Sequence, residues 1–366
     1  MTWIDVPAEM GTEVELHDIN RDGYAVGIFT TADGAYRALL ADKDGGFSDL
    51  NDVFVDALDA LPGWRFHMAS HINAAGNIAG LLVPEGELRV CSSPDVLIVN
   101  ANLYSQPPSF TVVDRFLNEE AGSIADMNES GDMLVRRCNE GGIWLYRAPY
   151  TDPPELIEGP DGSDSFTVGN LNGACQISIK ATFTEPVPIN RKNTEELSIP
   201  RSYLREPDTG FLREVGFGGY WIARLGEGGT VYDSSDGQLE GYDTHDRIHR
   251  WTEALGWLPV TPERGRIRAG VSKEPGGMAE VLIEKVGSGS GATVVYREGY
   301  GAYQLNVISG LGQGALDRWH VSPAPVFEFF AGISRREAAT SAGFVCGYRG
   351  SSNREVFILT PLAPEE

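Results

Sequence analysis

A repeating unit of about 52 residues, seven times in 366, with four short strands per unit and glycine-closed turns between them, predicts an all-β chain. The architecture is a seven-bladed β-propeller of four-stranded antiparallel blades. A third observation predicts how the ring closes. The last unit stops one strand short at Pro361, and the chain starts with a short strand that has no partner in unit one.

Unit one shows the elements most clearly. Leu16, Asp18 and Asn20 alternate with His17 and Ile19, the period of two expected of a half-buried strand. Asn20-Arg21-Asp22-Gly23 follows, closed by the residue that takes a left-handed backbone without steric cost. Tyr24 to Phe29 is the second strand and Thr31 to Gly34 the second turn. Tyr36 to Leu40 is the third strand, Asp42 to Gly46 the third turn and Phe47 to Leu50 the fourth strand. Four antiparallel strands joined by tight turns make a meander.

The order then recurs. Ser70 to Gly80, SHINAAGNIAG, repeats the N-x-x-G-x-x-x-G pattern of Asn20 to Gly27. Ala125 to Gly131 matches through its first glycine, with Val135 where the second would stand. Gly169 to Gly173 keeps the strand and the asparagine but not the glycine spacing. Gly226, Ser272 and Ser334 replace the asparagine in units five to seven, and Gly343 and Gly347 restore the paired glycines. Third strands are marked by Arg37, Arg89, Arg147, Arg205, Arg250, Arg297 and Arg354. The units span 12–51, 64–118, 121–159, 164–217, 220–262, 265–309 and 327–361, and residues 2–6 complete the last blade of a single domain, 1–366. Closing the ring removes exposed sheet edges.

The DIN-x-x-G-x-x-x-G pattern, the aromatic or aliphatic strand after it and the ending Val356-Phe-Ile-Leu-Thr-Pro361 resemble the HAF-type repeats of bacterial β-propeller proteins. The likeness is close in units one and two, partial in three and seven, and thin in four to six. It implies the fold and almost nothing about activity. Members of that family are mostly exported, whereas this N-terminus has neither a basic region nor an apolar run.

Composition narrows the partners. Net charge is −23, with five lysines among 29 basic residues, a surface that repels nucleic acid and anionic membranes. No apolar stretch reaches the ~20 residues that span a bilayer. Cys91, Cys138, Cys175 and Cys346 lack CxxC or CxxH spacing, which excludes the usual zinc arrangements and favours buried free thiols. A cytoplasmic protein is the expectation.

In a propeller, the loops entering the first strand of each blade and those between the second and third strands share one face, where sites are expected. The first of the unusual loops runs from Asn51 to Trp64. Val53, Ala57, Leu58 and Leu61 give it a helical stripe, ended by Pro62-Gly63. It leads into Trp64, Arg65 and His67, which are candidates for binding and for acid–base chemistry. His71 lies on the same strand, ~13 Å further along, and reads as structural. Ser105 to Glu120 enters unit three, with Asp114-Arg115 either a functional pair or a rim ion pair. Thr184 to Arg201 in unit four carries Arg191-Lys192, a flap that could meet an anionic group or a tolerated insertion. Unit five holds Asp243, His245 and Asp246 in its second-to-third loop, a set suited to a divalent ion or to a base oriented by a carboxylate. Trp319-His320 lies in the long Ser309–Phe327 link.

The chain has no GxSxG, Walker or HExxH motif, no EF-hand loop, no aspartate box and no WD40 blade endings. Two functions stay open. One is an enzyme of lyase, cyclase or hydrolase type, acting on a small organic molecule at the channel mouth. His67, His245, Asp246 and His320 would be catalytic, and Trp64, Arg65, Arg191, Trp319 and Asp243 would bind substrate. The set admits a divalent metal, and no nucleotide or organic cofactor is expected. The other is a protein- or peptide-binding scaffold anchored by exposed aromatics.

Overall fold

The computed structural model describes residues 2–3, 14–87, 95–117, 123–137, 142–188, 194–217, 224–225, 231–236, 245–254, 256–259, 265–271, 281–285, 293–297, 301–304, 345–349 and 355–359. After β1 (Thr2–Trp3) comes a first sheet of β2 (Val14–Ile19), β3 (Ala25–Thr30), β4 (Tyr36–Ala41) and β5 (Phe47–Asp49). Two single helical turns, α1 (Leu50–Val53) and α2 (Val55–Leu58), lead to a second sheet. It is built of β6 (Trp64–Ile72), β7 (Asn77–Pro84), β8 (Asp95–Asn102) and β9 (Ser109–Leu117). The third sheet has β10 (Ser123–Met127), β11 (Met133–Arg136), β12 (Ile143–Tyr146) and β13 (Glu155–Ile157). The fourth has β14 (Ser165–Leu171), β15 (Ile177–Pro188), β16 (Thr194–Arg205) and β17 (Leu212–Phe217).

Two further four-stranded sheets follow. One is β18 (Arg224–Leu225), β19 (Val231–Asp236), β20 (His245–Thr252) and β21 (Gly256–Pro259). The other is β22 (Gly265–Val271), β23 (Val281–Lys285), β24 (Thr293–Arg297) and β25 (Gly301–Gln304). Finally β26 (Val345–Arg349) and β27 (Glu355–Leu359) pair with each other, and β1 adds to β27 through Thr2↔Ile358 and Trp3↔Phe357. Every pairing is antiparallel between consecutive strands, except that of β1 with β27. Among the described residues no helix is long and apolar enough to cross a membrane.

The sheets stack face to face through shared cores. Val26, Ala38 and Leu40 of the first meet Phe66, Ile78 and Leu82 of the second, and Leu81, Val83 and Ile98 on its other side meet Ile124, Met133 and Val135 of the third. The middle strands are therefore apolar on both faces. Ile78 to Val83 is an unbroken buried run, and period-two alternation is lost, as it is for any strand covered on both sides. The fourth strand is outermost and wetter, with Val112 and Leu117 of β9 exposed.

The repeated asparagine holds neighbouring sheets together. The Asn20 Oδ1 accepts the backbone N–H of Asp22 and Tyr24, which fixes its own turn, and its Nδ2 donates to the Asn73 carbonyl at 3.2 Å. Asn73 does the same for Ala75 and Asn77 and donates to the Asn128 carbonyl at 3.2 Å. Asn128 in turn donates to the Asn172 carbonyl at 3.1 Å. Two residues earlier in each unit a second series runs in parallel. The Asp18 Oδ2 accepts from Ile72 N, the Asp126 Oδ2 from Leu171 N and the Asn170 Oδ1 from Leu225 N. His71 occupies this position in the second sheet, with its Nδ1 3.5 Å from Asp18 and 4.0 Å from Asp126. The DIN motif is thus a staple between sheets as well as a turn signal.

Both motif glycines have distinct reasons. Gly23, Gly76 and Gly131 take φ of 84°, 73° and 88°, left-handed values that favour glycine. Gly27 instead faces the Glu15 carbonyl so closely that a Cβ would lie 1.9 Å from its oxygen. In unit four the spacing expected to be lost is kept. Cys175 holds the left-handed position at φ 59°, and its N–H reaches the Asn172 carbonyl at 3.0 Å, as the glycines do in their turns. The Cys175 thiol is free, and it donates to Asp132 at 2.7 Å.

Four expectations are corrected. The third strand of unit two is Asp95–Asn102, and Arg89, expected to mark it, lies outside the described residues. Ser109–Leu117 within the expected link is the fourth strand of that unit, and Arg115 pairs with Asp95 rather than Asp114. In unit four the expected loop from Thr184 to Arg201 is mostly a hairpin extension. Pairing continues to Pro188↔Thr194, supported by the Arg201–Glu185 ion pair and by β-branched residues such as Thr184 and Ile199. His245 and Asp246 begin β20, where His245 pairs with Asp236, rather than lying in a loop.

Candidate functional site

The link between the first two sheets is tied down at both ends. Asp49 caps α1 by accepting the Asn51 N–H at 2.8 Å. The Asn51 amide then brackets the start of β6, accepting from Phe66 N at 2.7 Å and donating to Phe66 O at 3.3 Å. Leu50 and Phe54 are fully buried, and Phe54 packs on Phe66 with ring centroids 5.3 Å apart. Gly63 ends the link at φ 83°, and its carbonyl accepts from Glu85 N at 2.8 Å. Val53, Ala57, Leu58 and Leu61 pack against the same core, while Val55 stands exposed beside a gap.

The gap is a cavity of about 650 Å³, within the ~300–1,000 Å³ range of small-molecule pockets. It opens on the face that carries the turn between β3 and β4, the link, and the turn after β7. One wall is apolar, formed by Val55, Leu58, Leu61, Pro62 and Trp64. The neighbouring strands and turns add charged side chains to the lining, Asp33, Arg37, Arg65 and Glu85. Val55 is 54% exposed, an unusual fraction for valine in a segment otherwise packed on a core.

The two arginines play different parts. Arg65 is buried, and its guanidinium donates to the Tyr36 and Glu87 carbonyls. It therefore locks the β4 edge and the turn after β7 onto β6. Burial, and then the nearby Arg37 charge, lower its pKa. Arg37 is anchored by one Nη1 bond of 3.0 Å to Asp49, and its Nε is buried without a hydrogen-bond partner. Trp64 shows one ring face to Arg115, whose guanidinium carbon is 5.9 Å from the ring centre.

Trp64 and Arg65, two of the residues singled out in the sequence, both line this cavity. His67 does not line it. Two bulges in β6, between Phe66 and Met68 and between Ala69 and His71, break the regular alternation. His67 packs edge-on to Tyr36 at 5.7 Å, while His71 lies between Asp18 and Asp126. Burial first, and then the Arg65 charge, push the His67 pKa down to about 4. His245 and Asp246 are placed by backbone alone, at the start of β20. Arg191, Asp243, Trp319 and His320 lie outside the described residues. Among the described residues no group of three His, Cys, Asp or Glu side chains is arranged to hold a metal ion.

Arg37, Val55 and the Asp33 turn were not among the candidates from sequence. Arg37 had served only as a third-strand marker. Its signal was position, directly after a turn on the face where the longest early link arrives.

No family model matches the chain, and no curated protein matches it. Among solved structures it is similar to the acylaminoacyl peptidase of Pyrococcus horikoshii, at 12% identity and a TM-score of 0.51, over 98% of this chain and 52% of that one. It is also similar to the β-propeller domain of the Trilobed protease from Pyrococcus furiosus, at 12% identity and a TM-score of 0.49, over 94% and 92%. A third likeness is to an ulvan-degrading polysaccharide lyase, at 9% identity and a TM-score of 0.40, over 96% and 95%. The chain spans about half the length of the acylaminoacyl peptidase chain. At such identities the likeness speaks to fold alone, and the repeated four-stranded antiparallel sheets of the chain are themselves those of a β-propeller.

Proposed function

We propose that the chain is a seven-bladed propeller, closed by β1 on β27, that binds a small organic molecule in the cavity between its first two blades. The observation that carries this reading is a cavity of about 650 Å³ whose lining combines apolar side chains of the link with charged ones of the strands and turns. Such a slot suits a molecule with one apolar and one polar edge. HAF-type ancestry of the repeats and a cytoplasmic location belong to the same proposal. Recognition is the form we put forward. Among the described residues the walls supply Asp33, Asp59 and Glu85 as acids and no histidine. Catalysis by His67, His245, Asp246 and His320, with or without a divalent ion, would need these groups to reach the bound molecule.

Saturation-transfer NMR with a fragment library tests it. Fragments carrying an apolar ring and one polar group should bind the wild type. They should bind at least about tenfold more weakly to Val55→Asp, a substitution at an exposed position that leaves the core intact, and to Trp64→Ala. A library without hits, or hits indifferent to both variants, would refute the site. Binding confined to a parallel panel of short peptides would replace it with the scaffold reading.

A further inference from the structure

Beside Arg65, on the side nearer the first strands, lies a second cavity of about 200 Å³. Its walls are Glu15, Ile28, Thr30, Tyr36, His67 and Met68. Glu15, Ile28, Thr30 and Tyr36 share one face of the first sheet, since Glu15 pairs with Ile28 and Thr30 with Tyr36. His67 and Met68 close it from β6. Two polar atoms in these walls, His67 Nδ1 and Thr30 Oγ1, are buried with no hydrogen-bond partner, and His67 as a whole is only 5% exposed. A buried polar atom is costly to leave unpaired, so the cavity suits a polar occupant.

The charges around it select that occupant. Burial, and then the Arg65 charge, keep the His67 imidazole neutral. A neutral imidazole has one donor and one acceptor nitrogen. The Glu15 carboxylate on the opposite side disfavours an anion. It is 3.9 Å from His17 Nε2, and the His17 Nδ1 is already used on the Ala69 carbonyl at 2.9 Å. A neutral molecule is left, with hydroxyl groups that can both give and accept. Its carbon skeleton would lie against Ile28, Met68 and the Tyr36 ring.

We propose that this cavity is a binding site for a small neutral polyhydroxyl compound, a short polyol or one edge of a sugar, held by His67 Nδ1 and Thr30 Oγ1. It is independent of the larger cavity across Arg65. The bland occupant is water. At ~30 Å³ each, roughly half a dozen molecules would fill the space, and a four-carbon polyol is of the same size.

The test is a titration of ¹⁵N-labelled histidine rings followed by NMR, with the His67 signals assigned by His67→Phe. The probes are glycerol and erythritol, with acetate and ethylammonium as charged controls of similar size. A saturable change at the His67 nitrogens with the polyols, small or absent with both ions, is expected. It should weaken at least about tenfold in Thr30→Val, which keeps the shape and removes the hydroxyl, and persist in Val55→Asp. No saturable change with either polyol would mean a cavity that holds water only and would overturn the proposal. So would a response equal in Thr30→Val, or one as strong with the ions.

Discussion

Replacing Asn73 by alanine separates a sheet-to-sheet staple from an ordinary turn residue. The Asn73 side chain makes four bonds at 3.2 Å or less. Two accept the N–H groups of its own turn, Ala75 and Asn77, and two donate to the Asn128 and Glu129 carbonyls of the next sheet. A net worth near 1 kcal/mol for each bond, with the residue almost wholly buried, gives a loss of about 3–4 kcal/mol. Asn73→Asp keeps the turn acceptor but sets a carboxylate against two carbonyl oxygens, so at pH 7 it should cost at least as much. Urea unfolding followed by tryptophan fluorescence measures this as a lower midpoint at constant slope. Asp44→Ala, on an exposed side chain, is the neutral control. If Asn73→Ala moves stability no further than that control, the staple is ornamental. If Asn73→Asp is milder than alanine, the bonds to the third sheet contribute nothing and only the turn matters.

Other predictions follow from single contacts. The His67 ring titrates near 6.5 when unfolded and about 4 when folded, so the unfolded chain binds more protons between those values. Stability should be fully present above pH 6.5 and fall by about 3 kcal/mol as pH drops to 4. Relative to His67→Phe the wild type should show that slope, and a level difference across the window would refute burial of a neutral ring. Gly27→Ala should cost more than about 3 kcal/mol, because its Cβ would meet the Glu15 carbonyl at 1.9 Å. Gly80→Ala, 3.1 Å from the Met68 carbonyl, should cost clearly less in the same melt. The Cys175 thiol, pushed up to about 11 by burial and Asp132, should resist iodoacetamide at pH 8 in the native state and react once urea unfolds the chain. Peptide mapping by mass spectrometry reads that difference.

The repeat was legible because turn chemistry and strand pattern agree in units one and two. Asn20-x-x-Gly23 and Asn73-x-x-Gly76 announce the same left-handed turn, and both occur. Unit four escaped because the signal is a backbone angle and the sequence shows only residue types. Cys175 takes the glycine's angle without its name. Strand limits failed for a related reason. Thr184 to Arg201 contains three prolines and many charges, composition that reads as loop, yet Arg201 pairs with Glu185 and Leu197 sits opposite Glu185 in a long hairpin. Cross-strand partners decide such a segment, and they are invisible along the chain. The position of His67 was missed through the two β6 bulges, which follow from pairing with β7.

The candidate site follows from where the repeat breaks down. Residues that recur in every early unit are spent on the architecture. Asp18, Asn20, Asn73, Asp126 and Asn128 are buried and bonded to the next sheet, so polar groups that look most conspicuous in the sequence have the least freedom to meet a ligand. The segment with no counterpart in the repeat behaves otherwise. Asn51 to Gly63 fixes one edge through Asn51 and Phe54 and leaves Val55 facing open space. A series of near-identical staples holds the first four sheets at fixed spacing, and one irregular link wedged between two of them creates a gap that the staples prevent from collapsing. Weakening the staple at Asn73 should therefore loosen that gap as well as the fold. Fragment affinity at the Val55 wall should fall in Asn73→Ala even where the protein remains folded, whereas Gly80→Ala, which touches no staple, should leave affinity unchanged.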